Sequence, residues 1–166
     1  MGPVGSPDAR LLILGSLPGE ASLRAQRYYA HPQNQFWRLL GMAIDEDLGS
    51  LDYDRRLERL DIRRIALWDV IGEAHRKGSL DGAIRGAASN ELAAFAATHP
   101  ELQAIAFNGK TAARLGRAAL KEAQAVTLID LPSSSPAYTL AFAEKAKLWG
   151  RLGGLACPAE AATLQS

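Results

Sequence analysis

The residues best suited to chemistry stand in four short polar segments, each directly after an apolar run. They read Gly15-Ser16-Leu17-Pro18-Gly19, Asp69-Val70-Ile71-Gly72, Asn108-Gly109-Lys110-Thr111 and Leu131-Pro132-Ser133-Ser134-Ser135-Pro136. Glycines flanking a proline suit a plain turn. They equally suit a loop in which the backbone N–H groups of Ser16, Leu17 and Gly19 face an anion or a carbonyl. The segment is neither a dinucleotide fingerprint nor a P-loop, since G-x-G-x-x-G and G-x-x-x-x-G-K-[ST] are both absent. Asp69 offers either a carboxylate for a ligand N–H or a cap for the following turn. Three serines between prolines make either an ordinary loop or a set of hydroxyl and N–H donors for phosphates. Asn108 and Lys110 add an amide and a cation of the kind that contacts DNA backbone.

The densest segment is Tyr28-Tyr29-Ala30-His31-Pro32-Gln33-Asn34-Gln35-Phe36-Trp37. Two tyrosines before a His-Pro turn are harder to bury than Phe36 and Trp37, which open a helix as core anchors. An aromatic face beside a pocket is what a planar heterocycle stacks on. Asn34 serves either as a helix cap or as an amide aimed at a ligand or a water. His31 is as well explained by a hydrogen bond within its own turn.

The apolar runs that deliver these segments are Leu11-Leu12-Ile13-Leu14, Ile65-Ala66-Leu67-Trp68, Ala104-Ile105-Ala106-Phe107 and Val126-Thr127-Leu128-Ile129. Short runs without alternation predict strands buried on both faces. Helical periodicity between them predicts helices over 35–44, 51–60, 89–98 (capped by Ser89), 110–121 and 138–152. Strands alternating with helices predict an α/β fold on a parallel sheet. In such sheets ligands sit beyond the carboxyl ends of the strands, where the four polar segments stand. A flexible lead-in over 1–9, one domain over 10–153 and a frayed tail over 154–166 complete the expected organisation.

Composition narrows the function. A chain of 166 residues, 48% hydrophobic and 22% charged, carries a core without disulfides or metal. Its one cysteine, Cys157, excludes an intrachain disulfide and an all-cysteine zinc or iron–sulfur site, and suits a reducing cytosol. No apolar run reaches the roughly 18 residues of a membrane span, and no signal peptide is recognised. The net charge is only +1, yet its distribution is uneven. From Asn108 to Lys121 every charged residue is basic (Lys110, Arg114, Arg117, Lys121), and Arg10, Arg24, Arg27 and Arg38 surround the first loop. From Asp45 to Asp61 there are seven acids to three bases. That asymmetry fits a small footprint on a phosphate backbone.

Taken in order, Gly15-Ser16-Leu17-Pro18-Gly19, Tyr29-Ala30-His31-Pro32-Gln33-Asn34-Gln35-Phe36-Trp37 and Leu131-Pro132-Ser133-Ser134-Ser135-Pro136 resemble the motifs of the uracil-DNA glycosylase superfamily. The resemblance runs from about Leu11 to Gly150. It is strongest to the hypoxanthine-DNA (deoxyinosine) glycosylase branch, the sixth family, and next to the mismatch-specific uracil glycosylases. In the mismatch-specific branch the first motif resembles G-I-N-P-G, whose asparagine positions the attacking water; Leu17 stands there in this chain. The hypoxanthine branch lacks that asparagine too, and the resemblance implies that Asn34 takes its role. The iron–sulfur branches are excluded by the cysteine count.

The resemblance also implies a three-layer α/β/α sandwich on a central four-stranded parallel sheet. It puts Tyr29 where an aromatic ring stacks on the extruded base, with Phe36 beside it among the base-binding residues. Asp69 falls where the uracil-specific enzymes keep a base-reading asparagine, and Ser133, Ser134 and Ser135 fall in the DNA-clamping loop. The implied activity is hydrolysis of the N-glycosidic bond of a deaminated base in DNA, without metal or cofactor. A lysine Schiff base has Lys110 as its nearest candidate, but Lys110 reads better as a phosphate contact, so a monofunctional enzyme is expected. Uracil presents N3–H beside O4 as hypoxanthine presents N1–H beside O6, so Asp69 alone does not choose between them. A non-catalytic nucleic-acid-binding module and a small-molecule hydrolase share the same layout. A monomer acting on DNA, cytoplasmic and nucleoid-associated, is the expectation.

Overall fold

The computed structural model describes residues 1–70, 91–120 and 126–159. Ile71 and Gly72 of the second polar segment, the Ser89 cap, Lys121 and the end of the tail lie outside the described residues. Four strands, β1 (Leu11–Gly15), β2 (Ile65–Asp69), β3 (Ala104–Asn108) and β4 (Thr127–Leu131), form one sheet in the order β2-β1-β3-β4. Every pairing in it is parallel. Ile13 aligns with Leu67 on one side and Ala106 on the other, so β1 is central and all five of its residues are buried. An unbroken apolar run is what a strand covered on both faces requires.

Alternate residues feed two cores. Leu11, Ile13, Ile65, Leu67 and Ala106 pack under α2 (Phe36–Ile44), α3 (Tyr53–Ile62) and α6 (Phe142–Trp149). Leu12, Leu14, Ala66, Ile105 and Phe107 pack under a helix over 91–98, α4, and α5 (Lys110–Ala119). Helices thus cover both faces of the sheet, giving the three layers expected. β4 begins one residue later than its apolar run and extends to Leu131, which brings Pro132 and the serines directly to the strand exit.

Local chemistry sets the helix ends. The Asp52 carboxylate accepts the Arg55 N–H at 2.9 Å, so α3 starts at Tyr53 rather than at Leu51. The helix expected from Tyr138 starts only at Phe142 and gives way to a 3-10 turn over Gly150–Gly154. A short helix the periodicity did not reveal, α1 (Glu20–Ala25), follows the first polar segment.

Val4 and Cys157 are both tied to the fold. Val4 forms an antiparallel bridge with Leu67 on the outer side of β2, through hydrogen bonds of 3.0 and 2.9 Å. The lead-in is therefore not loose at that point; it covers the open edge of β2. Fraying does not begin at Gly154 either. Ala156 and Cys157 are buried, and the Cys157 N–H donates to the Arg63 carbonyl while the Arg63 guanidinium donates back to the Cys157 carbonyl.

Candidate active site

Two cavities lie at the carboxyl edge of the sheet. The first, of about 340 Å³, is lined by Leu17, Gly19, Tyr29, Asn34 and Asp69, together with the first turn of α1. The second, of about 530 Å³, is lined by Ser16, Asn108, Lys110 and Ser133 with Asp130 and Tyr138. Most of the expected site residues are thus shared between two hollows at one end of the fold, while Phe36, Ser134 and Ser135 line neither. Ser16 parts from Leu17 and Gly19 and faces the second.

The first cavity is organised by a close approach at Gly15. A Cβ there would collide with Asp69 Oδ1 and press on the Tyr29 hydroxyl. Only glycine leaves room for both groups over the end of β1. Asp69 is 6% exposed, and burial pushes its carboxyl up to about 6. Burial, and secondarily the Asp69 charge, raise the phenols of Tyr29 and Tyr28 as well. Tyr29 takes a left-handed backbone, φ 55°, that lays its ring on Phe36, with centroids 3.8 Å apart and planes within 10°.

Asn34 lines the first cavity, and its carboxamide is held in one orientation. Oδ1 accepts the Phe36 N–H at 3.0 Å and the Ser134 hydroxyl at 2.8 Å. A backbone N–H can bond only to the oxygen, so the amide nitrogen is assigned without ambiguity. The relay continues inward. Ser134 Oγ accepts from Asn108 Nδ2 at 2.9 Å, and the same amide group donates to the Tyr29 hydroxyl at 3.2 Å. The Ser134 N–H donates to Asn108 Oδ1 at 2.9 Å, which fixes that amide too. Tyr29, Asn108, Ser134 and Asn34 therefore form one hydrogen-bonded chain across three polar segments.

Three of the expected site residues are committed inside the protein. Phe36 is 0% exposed, with Tyr29 stacked on it and Trp37 and Trp149 edge-on, so it backs the Tyr29 ring from inside the core. Ser134 is 1% exposed and its hydroxyl, N–H and carbonyl are all engaged, the last by the Gln35 N–H at 3.0 Å; it is closed to phosphate. Both polar ends of the Asn108 side chain are likewise committed inside the protein. Of the serines, Ser133 and Ser135 are half-buried, and their oxygens accept the N–H groups of Ser135 and Ala137. Lys110, the first residue of α5, is exposed.

Residues not singled out in the sequence hold the serine loop. Lys145, 1% exposed, donates to Gln35 Oε1 at 2.9 Å and to the Ser135 carbonyl at 3.1 Å. Trp149 Nε1 donates to the Pro132 carbonyl at 2.9 Å. Their signal was present as spacing. Lys145 is three residues after Phe142 and four before Trp149, on the face that α6 buries. Among the described residues no cluster of His, Cys, Asp and Glu could hold a metal ion, and no helix is long and apolar enough to cross a membrane.

Comparison with known proteins bears on what such a site does. The profile of the uracil DNA glycosylase superfamily matches residues 3–153. A hypoxanthine DNA glycosylase of Methanosarcina barkeri is 45% identical over 108 residues, covering 65% of this chain and 68% of that protein. A second hypoxanthine DNA glycosylase, from Methanosarcina acetivorans, is 43% identical over 105 residues, 63% of this chain and 66% of that one. The solution structure of a proposed uracil DNA glycosylase from Methanosarcina acetivorans superposes with a TM-score of 0.76 at 34% identity, covering 93% of this chain and 95% of that one. With a family profile spanning nearly all of the described fold, this chain belongs to the uracil DNA glycosylase superfamily.

Proposed function

We propose that this chain is a monofunctional DNA glycosylase that everts a deaminated base, hypoxanthine in preference to uracil, and hydrolyses its N-glycosidic bond. The observation that carries the reading is the convergence of Tyr29, Asn34 and Asp69 on one cavity of about 340 Å³ beyond the strand ends. Tyr29 has one ring face on Phe36, and a flipped base stacks on the other. Ionised Asp69 accepts the N1–H of hypoxanthine. The first turn of α1 leaves backbone N–H groups without intrahelical partners at the cavity wall, where negative charge gathers on the leaving base.

Asn34 positions the water. Its oxygen already has two donors, so it presents Nδ2, which holds the water by one lone pair and leaves the other for C1′. A bond that is largely broken before attack needs a placed water more than a deprotonated one. The choice of hypoxanthine over uracil rests on the similarity of this chain to two hypoxanthine DNA glycosylases.

The test is incubation with oligonucleotides containing deoxyinosine, deoxyuridine or deoxyxanthosine, followed by alkaline strand cleavage. Release of hypoxanthine above the other bases is expected. Asn34→Ala should lower single-turnover release by about 100-fold or more while duplex binding persists. Unchanged release in that variant removes the catalytic assignment.

A further inference from the structure

A third hollow, of about 420 Å³, adjoins the first and shares Tyr29, His31 and Asn34 with it. Its remaining wall includes Trp37, Arg38 and Arg56. We propose that this hollow seats a backbone phosphodiester of the strand carrying the everted nucleotide, a placement that rests on the DNA glycosylase reading above.

The chemistry of the wall is one-sided. Arg38 and Arg56 are cations, and no described carboxylate lines the hollow, whereas Glu20 and Asp69 line the first cavity and Asp130 the second. His31 Nδ1 accepts the Gln33 N–H at 3.1 Å, so the ring proton is on Nε2 and the ring offers a donor. Trp37 is 5% exposed, and its Nε1–H is buried without a hydrogen-bond partner among the described residues. Two guanidinium groups and the His31 ring N–H, with no described carboxylate in the lining, match a phosphate oxygen and do not match a neutral sugar or a base.

Both guanidinium groups border the hollow and are braced by their neighbours. Arg56 donates through Nε to the Leu48 carbonyl and through Nη2 to the Gly49 carbonyl, and lies 5.1 Å over the Trp37 ring. It is a braced cation rather than a freely moving one. Arg38 is exposed, rests 4.3 Å over the Phe142 ring, and forms no ion pair among the described residues. Because the hollow shares Asn34 with the first cavity, a phosphate held there is close to the sugar that the water must reach. The serine loop, with Ser134 and Asn108 turned inward, offers fewer phosphate donors than its sequence promised. This hollow supplies others.

The test is the salt dependence of duplex affinity for wild type and Arg38→Gln, combined with a series of duplexes in which single phosphates flanking deoxyinosine become uncharged methylphosphonates. Arg38→Gln should flatten the slope of log affinity against log salt by about one unit. One methylphosphonate position should weaken wild type several-fold and leave Arg38→Gln unaffected, which identifies the seated phosphate. Arg151→Gln, an exposed arginine outside all three hollows, should leave the slope unchanged. Equal slopes for wild type and Arg38→Gln, or no methylphosphonate position coupled to Arg38, would overturn the proposal. Base release is read separately in the same samples. An enzyme that excises hypoxanthine with an unaltered slope defeats this inference alone, and one that binds through Arg38 but releases no base defeats the glycosylase reading.

Discussion

On the proposed reading, in which Asp69 accepts from the base, recognition is tied to pH. Its carboxyl, buried at the end of β2, titrates at about 6. Only the ionised form is a pure acceptor for N1–H, so hypoxanthine release should fall as pH drops through about 6. In Asp69→Asn that acid limb should vanish, along with much of the activity; single-turnover profiles of both proteins check this, and a limb that survives the substitution assigns it elsewhere. Stability runs the opposite way. The folded value lies above the unfolded one of 3.8, so the native state holds the proton more tightly. The group's contribution is fully present below about pH 4 and is lost as pH rises through about 6. Asp69→Asn should therefore be more stable than wild type at pH 8, by about 1–3 kcal/mol, with the gap closing near pH 4 in thermal melts. At this scale the sequence was informative. A polar residue after an apolar run announces a strand exit, and Tyr29, Asn34 and Asp69 do meet there. What it hid was commitment, because the partner of Asn34 is Ser134, a hundred residues away.

The elements that bring those two together are α2 and the loop after β4. Gln35, just before α2, and Ser134 are joined through the backbone at 3.0 Å, and Lys145 and Trp149 of α6 pin the same loop. Ser134→Ala should therefore act twice. It leaves a buried donor of Asn108 short of an acceptor, at a cost of about 1–3 kcal/mol to stability. It also removes one of the two donors that hold the Asn34 carboxamide, which should lower kcat by about tenfold with KM little changed, while Ser134→Thr, which keeps the hydroxyl, should recover most of the rate. A purely structural serine would lower the melting temperature without that split. The strands and most helices were legible because their apolar periods are long enough to read. α1 was not, for its six residues follow the Leu17-Pro18-Gly19 turn and carry no sustained stripe. The inward turn of Ser134 was hidden too, since three adjacent serines look alike until α6 packs on the loop.

Over the whole molecule, a net charge of +1 conceals how many cations are already spoken for. Arg24 pairs with Glu20, Arg59 and Arg63 with Glu46, Arg64 with Asp8, and Arg117 with Asp130. The basic run of α5 therefore contributes less free charge than its sequence suggests, and Lys110 gains importance. It is exposed at the start of the helix, lines the second cavity beside Ser133, and has no ion pair among the described residues. A lysine so placed meets phosphate as a point charge and reads no base. Lys110→Ala should weaken deoxyinosine-containing and undamaged duplexes by the same factor and flatten the salt slope by about one unit. Combined with Arg38→Gln the loss should reach about two units, because the two cations line separate hollows and release separate counterions. A titration over a salt series with both duplexes checks it. An unaltered slope makes Lys110 a bystander, and a loss confined to the lesion duplex would instead put this lysine in contact with the everted nucleotide.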